Sequence, residues 1–325
     1  MTWEQRVNSV SRHGFTKRQA AFLVNVMLHA GVCVGRQYCA FAGITYGQVV
    51  SDFFGSLVER GYASPHRCGS SRWRVFHVHH KGLYRAIGEP DNRHRKPTAV
   101  ARAVERLMIL DAVLAERKLT WLATERDKLS YFTLAHRIPN QDLPSLTFRT
   151  ADAETVRYFP EKLPIGLDPD GRTHVFLFLL ARDLPIDFRN FLERHAELLR
   201  ALPAWTVRLV VPAHKSSAVP LYKTAFHEHV ASPLRPAIAA ELRWYFTARK
   251  RRPADGEERF DQSVRAFAAP RFQAVYRAWL ERGDFVLEAT QSATLADAVA
   301  RGAGRLESHV LPYQYTHLLP LVGTA

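Results

Sequence analysis

Apolar residues in the stretch TKRQAAFLVNVMLHAG, 16–31, recur at helical spacing through Ala20, Leu23, Val24 and Met27, and Thr16 stands where a cap belongs. A second, shorter helix is predicted over GRQYCAFAG, 35–43, broken at Ala42-Gly43-Ile44. A third follows through TYGQVVSDFFGSLVERG, with Thr45 as its cap and Gly61 as its stop. Its inner face is Val49 or Val50, Phe53, Leu57 and Val58. The period then changes. SPHRCGSSRWRVFHVHH, 64–80, reads as two short strands around a Gly-Ser-Ser tip. In the second strand Trp73, Val75, His77 and His79 share one face, and Arg72, Arg74, Phe76 and Val78 the other. KGLYRAIG predicts a closing helix.

Three helices followed by a two-stranded wing predict a winged helix-turn-helix over residues 1–90. In that arrangement the second helix of the turn enters the major groove, and flanking groups hold phosphates. The candidate base readers are Thr45, Tyr46 and Gln48, with Ser51 on the same polar face. Gln48 can reach an adenine through two hydrogen bonds, whereas Asp52 disfavours deep contact further along. Arg67, Arg72 and Arg74 are placed to hold phosphates from the hairpin, with Trp73 as its anchor and Lys81 just beyond. The competing reading is a solvated surface hairpin whose arginines only keep it soluble.

Residues 91–144 predict a basic linker and a helical connector. EPDNRHRKPT is polar and Pro-flanked, and Arg93, Arg95 and Lys96 can act from it as a phosphate-gripping arm. An amphipathic helix is predicted at about 98–118, its stripe running through Val100, Val104, Leu107, Met108 and Leu114. Asp111 interrupts that stripe. Thr124 is placed to cap a further short helix. These helices either join the domains or mediate dimerisation.

From 145 to 325 the pattern predicts an α/β domain. TVRYFP is strand-like, and KLPIGLDPDGRTHVFLFLLARD reads as strand, turn at Asp168–Gly171, and buried strand. DFRNFLERHAELLRAL is a helix, WTVRLVVPA a buried strand, and 215–250 and 262–283 are helical. TARKRRPADGEER reads as a basic exposed loop, and the Pro-broken apolar tail as a segment docked on the body. The fold class is therefore α+β.

Composition sharpens the partner. The net charge is +14, and 47% of residues are hydrophobic, so the chain folds and favours polyanions. Residues 1–100 hold about 14 Lys and Arg against about 5 Asp and Glu, so most of the excess sits in under a third of the chain. Three cysteines without a C-x-x-C argue against a disulfide framework or a zinc ribbon. MTWEQRVNSV has no apolar signal core, and VFLFLLA is too short to span a bilayer. The expectation is a cytoplasmic, nucleoid-associated protein with no membrane partner.

Two passages resemble a known family. FTKRQAAFLVNVMLHAG together with LVERGYASPHRCGSSRWRVFHVHHKGLYRAIG resembles the winged-helix domain of the replication-relaxation family of bacterial plasmids and mobile elements. KLPIGLDPDGRTHVFLFLLARD with FLERHAELLRALPAWTVRLVVPA resembles that family's second domain, a restriction-endonuclease-type fold. The resemblance implies double-stranded DNA binding in the regulation, replication or transfer of a mobile element. A homodimer or a mobile-element protein is the implied further partner.

A nuclease of that fold needs an acid and then an acid-x-Lys on the next strand to hold Mg²⁺. Asp168 or Asp170 can fill the first slot, but the following strand carries apolar residues where the Glu and Lys belong. Asp183 lies beyond that strand. The expectation is a degenerate, non-enzymatic nuclease fold. A Mg²⁺-dependent nickase using Asp168, Asp170 or Asp183 is one alternative, and a winged helix that binds protein is another. His77, His79 and His80 lack the companions of a metal site, and no cofactor motif is present.

Overall fold

A computed structural model describes residues 1–68, 70–149, 154–251, 258–291 and 293–315. The side chains of residues 67, 68, 70–73, 149, 289, 291 and 293 fall outside that description. The class is mixed α+β, with helices at the N-terminus and a mixed sheet in the C-terminal half. The chain packs as two compact units, residues 1–123 with 210–214 and 309–325, and residues 124–209 with 215–308.

The first unit opens with α1 (Trp3–Ser11), an element that the apolar periodicity does not mark; Thr2 and Gln5 form its reciprocal cap. α2 (Lys17–His29) is capped by Thr16 and Gln19 in the same way. Next comes β1 (Val32–Val34), three residues too short to show alternation. α3 (Gly35–Ala42) ends on Gly43 at φ +66. α4 (Gln48–Glu59) starts later than its composition predicts. Thr45 does not cap it; Gly47 takes that position, without a side-chain bond. The Tyr46 ring lies over Gly35, where a Cβ would sit 2.7 Å from the ring, and the chain stays extended through Gly47.

β2 (Ala63–Cys68) and β3 (Ser70–Val78) form an antiparallel pair, and β3 also pairs β1, giving the order β1-β3-β2. α5 (Lys81–Ala86) and α6 (Val100–Ala115) complete this part, followed by β4 (Thr120–Leu122). The core is aromatic. Tyr38 lies 4.6 Å from Phe53, Phe53 lies 5.0 Å from Phe54, and Phe54 stacks on Phe76 at 4.4 Å. Gln37 is fully buried and satisfied: its amide donates to the Leu107 carbonyl and accepts from the Val34 N–H, both at 3.0 Å.

Within the stretch read as a linker, 89–98, residues 92–95 are packed rather than free. Asn92 caps a 3-10 turn at Arg93–Arg95, and His94 is buried, its carbonyl bonded to His77 Nε2 at 3.0 Å. A Cβ on Gly31 would lie 2.3 Å from that carbonyl oxygen, so the turn is pressed onto the end of α2. Polar composition concealed a packed segment.

The second unit holds α7 (Glu125–Leu129), capped by Thr124 and Asp127 as expected. A separate antiparallel hairpin, β5 (Ser145–Arg149) and β6 (Glu154–Tyr158), follows. Its main sheet runs β10-β9-β8-β7, from β7 (Ile165–Leu167), β8 (Thr173–Leu179), β9 (Ala204–Val211) and β10 (Gly304–Val310). α8 (Ile186–Ala201) joins β8 to β9. Further helices are α9 (Val219–Phe226), α10 (Pro236–Arg251), α11 (Glu258–Ala266), α12 (Pro270–Arg282), α13 (Phe285–Gln291) and α14 (Ala293–Ala300). Leu242, Phe246, Val275 and Leu287 anchor a helical subcore.

Two expectations for this half need correction. The start of the tail is a strand, β10, and not merely a docked segment. The segment read as a basic loop is partly helix: Arg249 to Arg251 close α10, and Arg249 lies 4.3 Å from the Tyr276 ring centre and donates to Gln273 at 2.9 Å.

His195 on α8 is fully enclosed, with Nδ1 2.8 Å from the Phe191 carbonyl. Burial pulls its pKa down to about 4. The unfolded chain therefore binds a proton that the fold refuses below the ordinary imidazole value of about 6.5. The neutral-His contribution is complete above about pH 6.5 and is lost as pH falls toward about 4. Urea midpoints should fall over that window, and His195→Gln should remove about 2–3 kcal/mol of the pH-dependent change. A variant whose pH profile matches the parent's would exclude His195 as the source.

Candidate nucleic-acid interface

The aromatic core fixes the inner face of α4 and leaves its outer face open. Val50, Phe53, Phe54 and Leu57 are buried, while Thr45, Tyr46, Gln48, Val49, Ser51 and Asp52 are exposed. The structure thus brings Thr45, Tyr46, Gln48 and Ser51 together at the N-terminal end of one helix. Gln48 is not idle there: its amide donates to Asp52 Oδ1 at 2.6 Å, so base reading requires that bond to be exchanged. No Lys or Arg lies between 45 and 59.

The β2–β3 hairpin splits its faces as the alternation predicts. Phe76 and Val78 turn into the helical core, Val75, His77 and His79 to the opposite side, and Arg74 is exposed. The side chains of Arg67, Arg72 and Trp73 lie outside the described residues. Lys81 and Lys96 are exposed. Arg93 and Arg95 are not: both are half-buried, which disagrees with a free arm. Burial first, and then the nearby Arg106 and Arg102 charges, bring the Arg93 pKa down to about 10.

Sequence reasoning missed a cavity of about 660 Å³ beside this hairpin, lined among others by His66, His77, His79, Arg95, Val104 and Leu107. Its signal was present in the alternation of Val75, His77 and His79. Reading the cavity required knowing that α6 covers that face. It also missed Arg60, whose guanidinium lies over the Phe15 and Tyr62 rings at 5.1 and 4.6 Å and donates to the His13 carbonyl.

In the second unit the three candidate acids do not converge. Asp168 opens the β7–β8 turn, its Oδ1 accepting from the Arg172 N–H at 2.8 Å. Burial pushes its pKa up, but hydrogen bonds from Thr173 and Arg172 outweigh that and hold it below the ordinary range, the reverse of a poised base. Asp170 is exposed on the same turn. Asp183 lies past the other end of β8 and pairs with Lys215 at 3.0 Å. Seven strand residues separate the two ends, roughly 20 Å at strand rise, too far for one metal. Among the described residues no group of three His, Cys, Asp or Glu is arranged to hold a metal ion, and no helix is long and apolar enough to cross a membrane.

Two polar pairs inside this unit leave no trace in the sequence pattern. His229 Nδ1 meets Glu193 Oε1 in a fully buried pair, and Arg189 reaches Glu228. Comparison with protein-family models, curated proteins and solved structures finds no match for this chain.

Proposed function

We propose that this chain is a non-enzymatic, double-stranded-DNA-binding protein of the winged-helix kind. α4 enters the groove, and the β2–β3 hairpin holds the phosphate backbone through Arg67, Arg72 and Arg74. The observation that carries the reading is topological. The run α2-β1-α3-α4-β2-β3, with sheet order β1-β3-β2, sets a helix with an open outer face directly before a basic hairpin in the chain. The basic excess of the first hundred residues supports the same partner. The resemblance to replication-relaxation proteins belongs to this proposal. It adds a mobile-element setting in the bacterial nucleoid and gives the second unit the role of a degenerate nuclease-like domain for self-association or partner binding.

The test is fluorescence anisotropy of labelled duplexes titrated with the full chain across a salt series. Arg72→Ala with Arg74→Ala should weaken binding to every sequence and lower the salt slope by about 1–2, since each phosphate no longer neutralised takes away about 0.9. Unchanged affinity and slope in that double variant would sink the hairpin assignment. Gln48→Ala should alter sequence preference instead. Running the same mixtures with Mg²⁺ on a denaturing gel tests the nickase alternative; intact strands retire it.

One observation favours a second reading. The outer face of α4 is uncharged or acidic, with Asp52 and Glu59; Val49 on it and Tyr46 just before the helix are 60% and 66% exposed. Such a face suits a protein partner. Association that ignores salt, with no duplex affinity, would favour it over DNA.

A further inference from the structure

The β1-β3-β2 sheet has two faces, and only one is spent on the helical core. On the other, the register sets Val32, His77 and Ser64 in one row and Val34, Val75 and His66 in the next. α6 lies across this face through Val100, Ala103, Val104 and Leu107, and Arg95, Pro97 and Thr98 close one side. The cleft between them, about 660 Å³, is within the usual size of a small-molecule site.

The walls are mainly aliphatic. The polar groups that break them are of one kind: they donate or are neutral, and no carboxylate lines the cavity among the described residues. His77 Nε2 is bonded to the His94 carbonyl at 3.0 Å, which fixes that nitrogen as the donor. His79 Nε2 meets Ser64 Oγ at 2.8 Å. Both imidazoles are held below their ordinary pKa, by burial first and then, for His79, by charges that include Arg95. Arg95 is thus the fixed positive charge of the site. It is half-buried, and its Nε is buried with no hydrogen-bond partner. A cation placed against apolar walls without an anion carries a desolvation cost that a bound anion offsets.

We propose that this cavity is a binding site for a small monocarboxylate with an aromatic or branched apolar body. Arg95 takes the carboxylate, as a guanidinium fork suits it. The aliphatic side chains of α6 and the faces of His77 and His79 enclose the body. The site is independent of DNA binding and stands or falls by itself.

The experiment is isothermal titration of the full chain with 2-naphthoate and with the neutral 2-naphthamide. The acid should bind at least tenfold more tightly than the amide. Arg95→Gln should reduce the acid to the affinity of the amide, with the amide unchanged. Ala103→Trp, which fills the cavity, should abolish both. If that variant does not fold, imidazole carbon–proton NMR signals of the parent protein decide: naphthoate must shift the lines of His77 and His79. Equal affinity for acid and amide, an acid preference that survives Arg95→Gln, or shifts confined to other histidines would each overturn the proposal.

Discussion

Asp111→Ala lowers the unfolding free energy by about 3–5 kcal/mol, the cost of stripping one partner from a buried charge pair. Asp111 is 6% exposed on α6, in the middle of an apolar stripe. Its two oxygens take both Arg36 Nη groups, at 2.7 and 2.8 Å, and the Tyr315 hydroxyl donates to Oδ2. The Tyr313 ring covers the Arg36 guanidinium at 3.8 Å. Alanine leaves a partly buried cation without a counter-charge and the buried Tyr315 hydroxyl without its acceptor. Each is an unmet polar group in a place water reaches poorly. Arg36→Met with Asp111→Leu should recover most of the loss, because an apolar pair removes the desolvation problem with the charges. Urea unfolding of the three variants measures this. A loss under about 1 kcal/mol for Asp111→Ala would mean that the pair behaves like a surface ion pair.

Gly31→Ala is expected to cost about 3 kcal/mol or more, and a glycine elsewhere separates its causes. Gly31 sits at φ +72, where an L-residue pays about 1–2 kcal/mol. The added Cβ would also lie 2.3 Å from the His94 carbonyl oxygen and 2.8 Å from its Cβ, so backbone has to move. Gly43, at φ +66, has nothing within 4 Å of the same position. Gly43→Ala should therefore cost only the strain, about 1–2 kcal/mol. The difference in urea midpoints between the two variants reports the crowding. Equal losses would show that the 93–95 turn yields freely. Moving that turn also pulls the His94 carbonyl from His77 Nε2, so the His77 imidazole signal should shift in Gly31→Ala and not in Gly43→Ala.

Much of the local structure was legible. α2 and α7 carry their caps in the sequence, Gly43 and Gly61 mark helix ends, and β7, β8, α8 and β9 follow from short apolar runs and helical periodicity. Alternation along β3 assigns Val75, His77 and His79 to one face without any knowledge of tertiary packing. The failures have a common origin. β1 is three residues whose strand character comes from pairing with β3. The 93–95 turn looks like a linker because its composition is polar, while the contacts that pack it, Gly31 and His77 against His94, come from distant parts of the chain. Arg93 and Arg95, expected as exposed phosphate-holding groups, are drawn inward by the same packing. Thr45 loses the cap of α4 because Tyr46 is held over Gly35.

What the sequence by itself determined is the set of properties that act within a few residues: helical and strand periods, caps, glycine turns, and a basic excess concentrated in the first hundred positions. Only the tertiary structure decided that Asp111 is a paired anchor rather than a flaw in a stripe. It alone brought His66, His77, His79 and Arg95 around one cavity. Hydrogen bonding and burial between residues dozens of positions apart depend on which faces meet. That choice is made by packing summed over the whole core, so it leaves no periodic trace in any one segment.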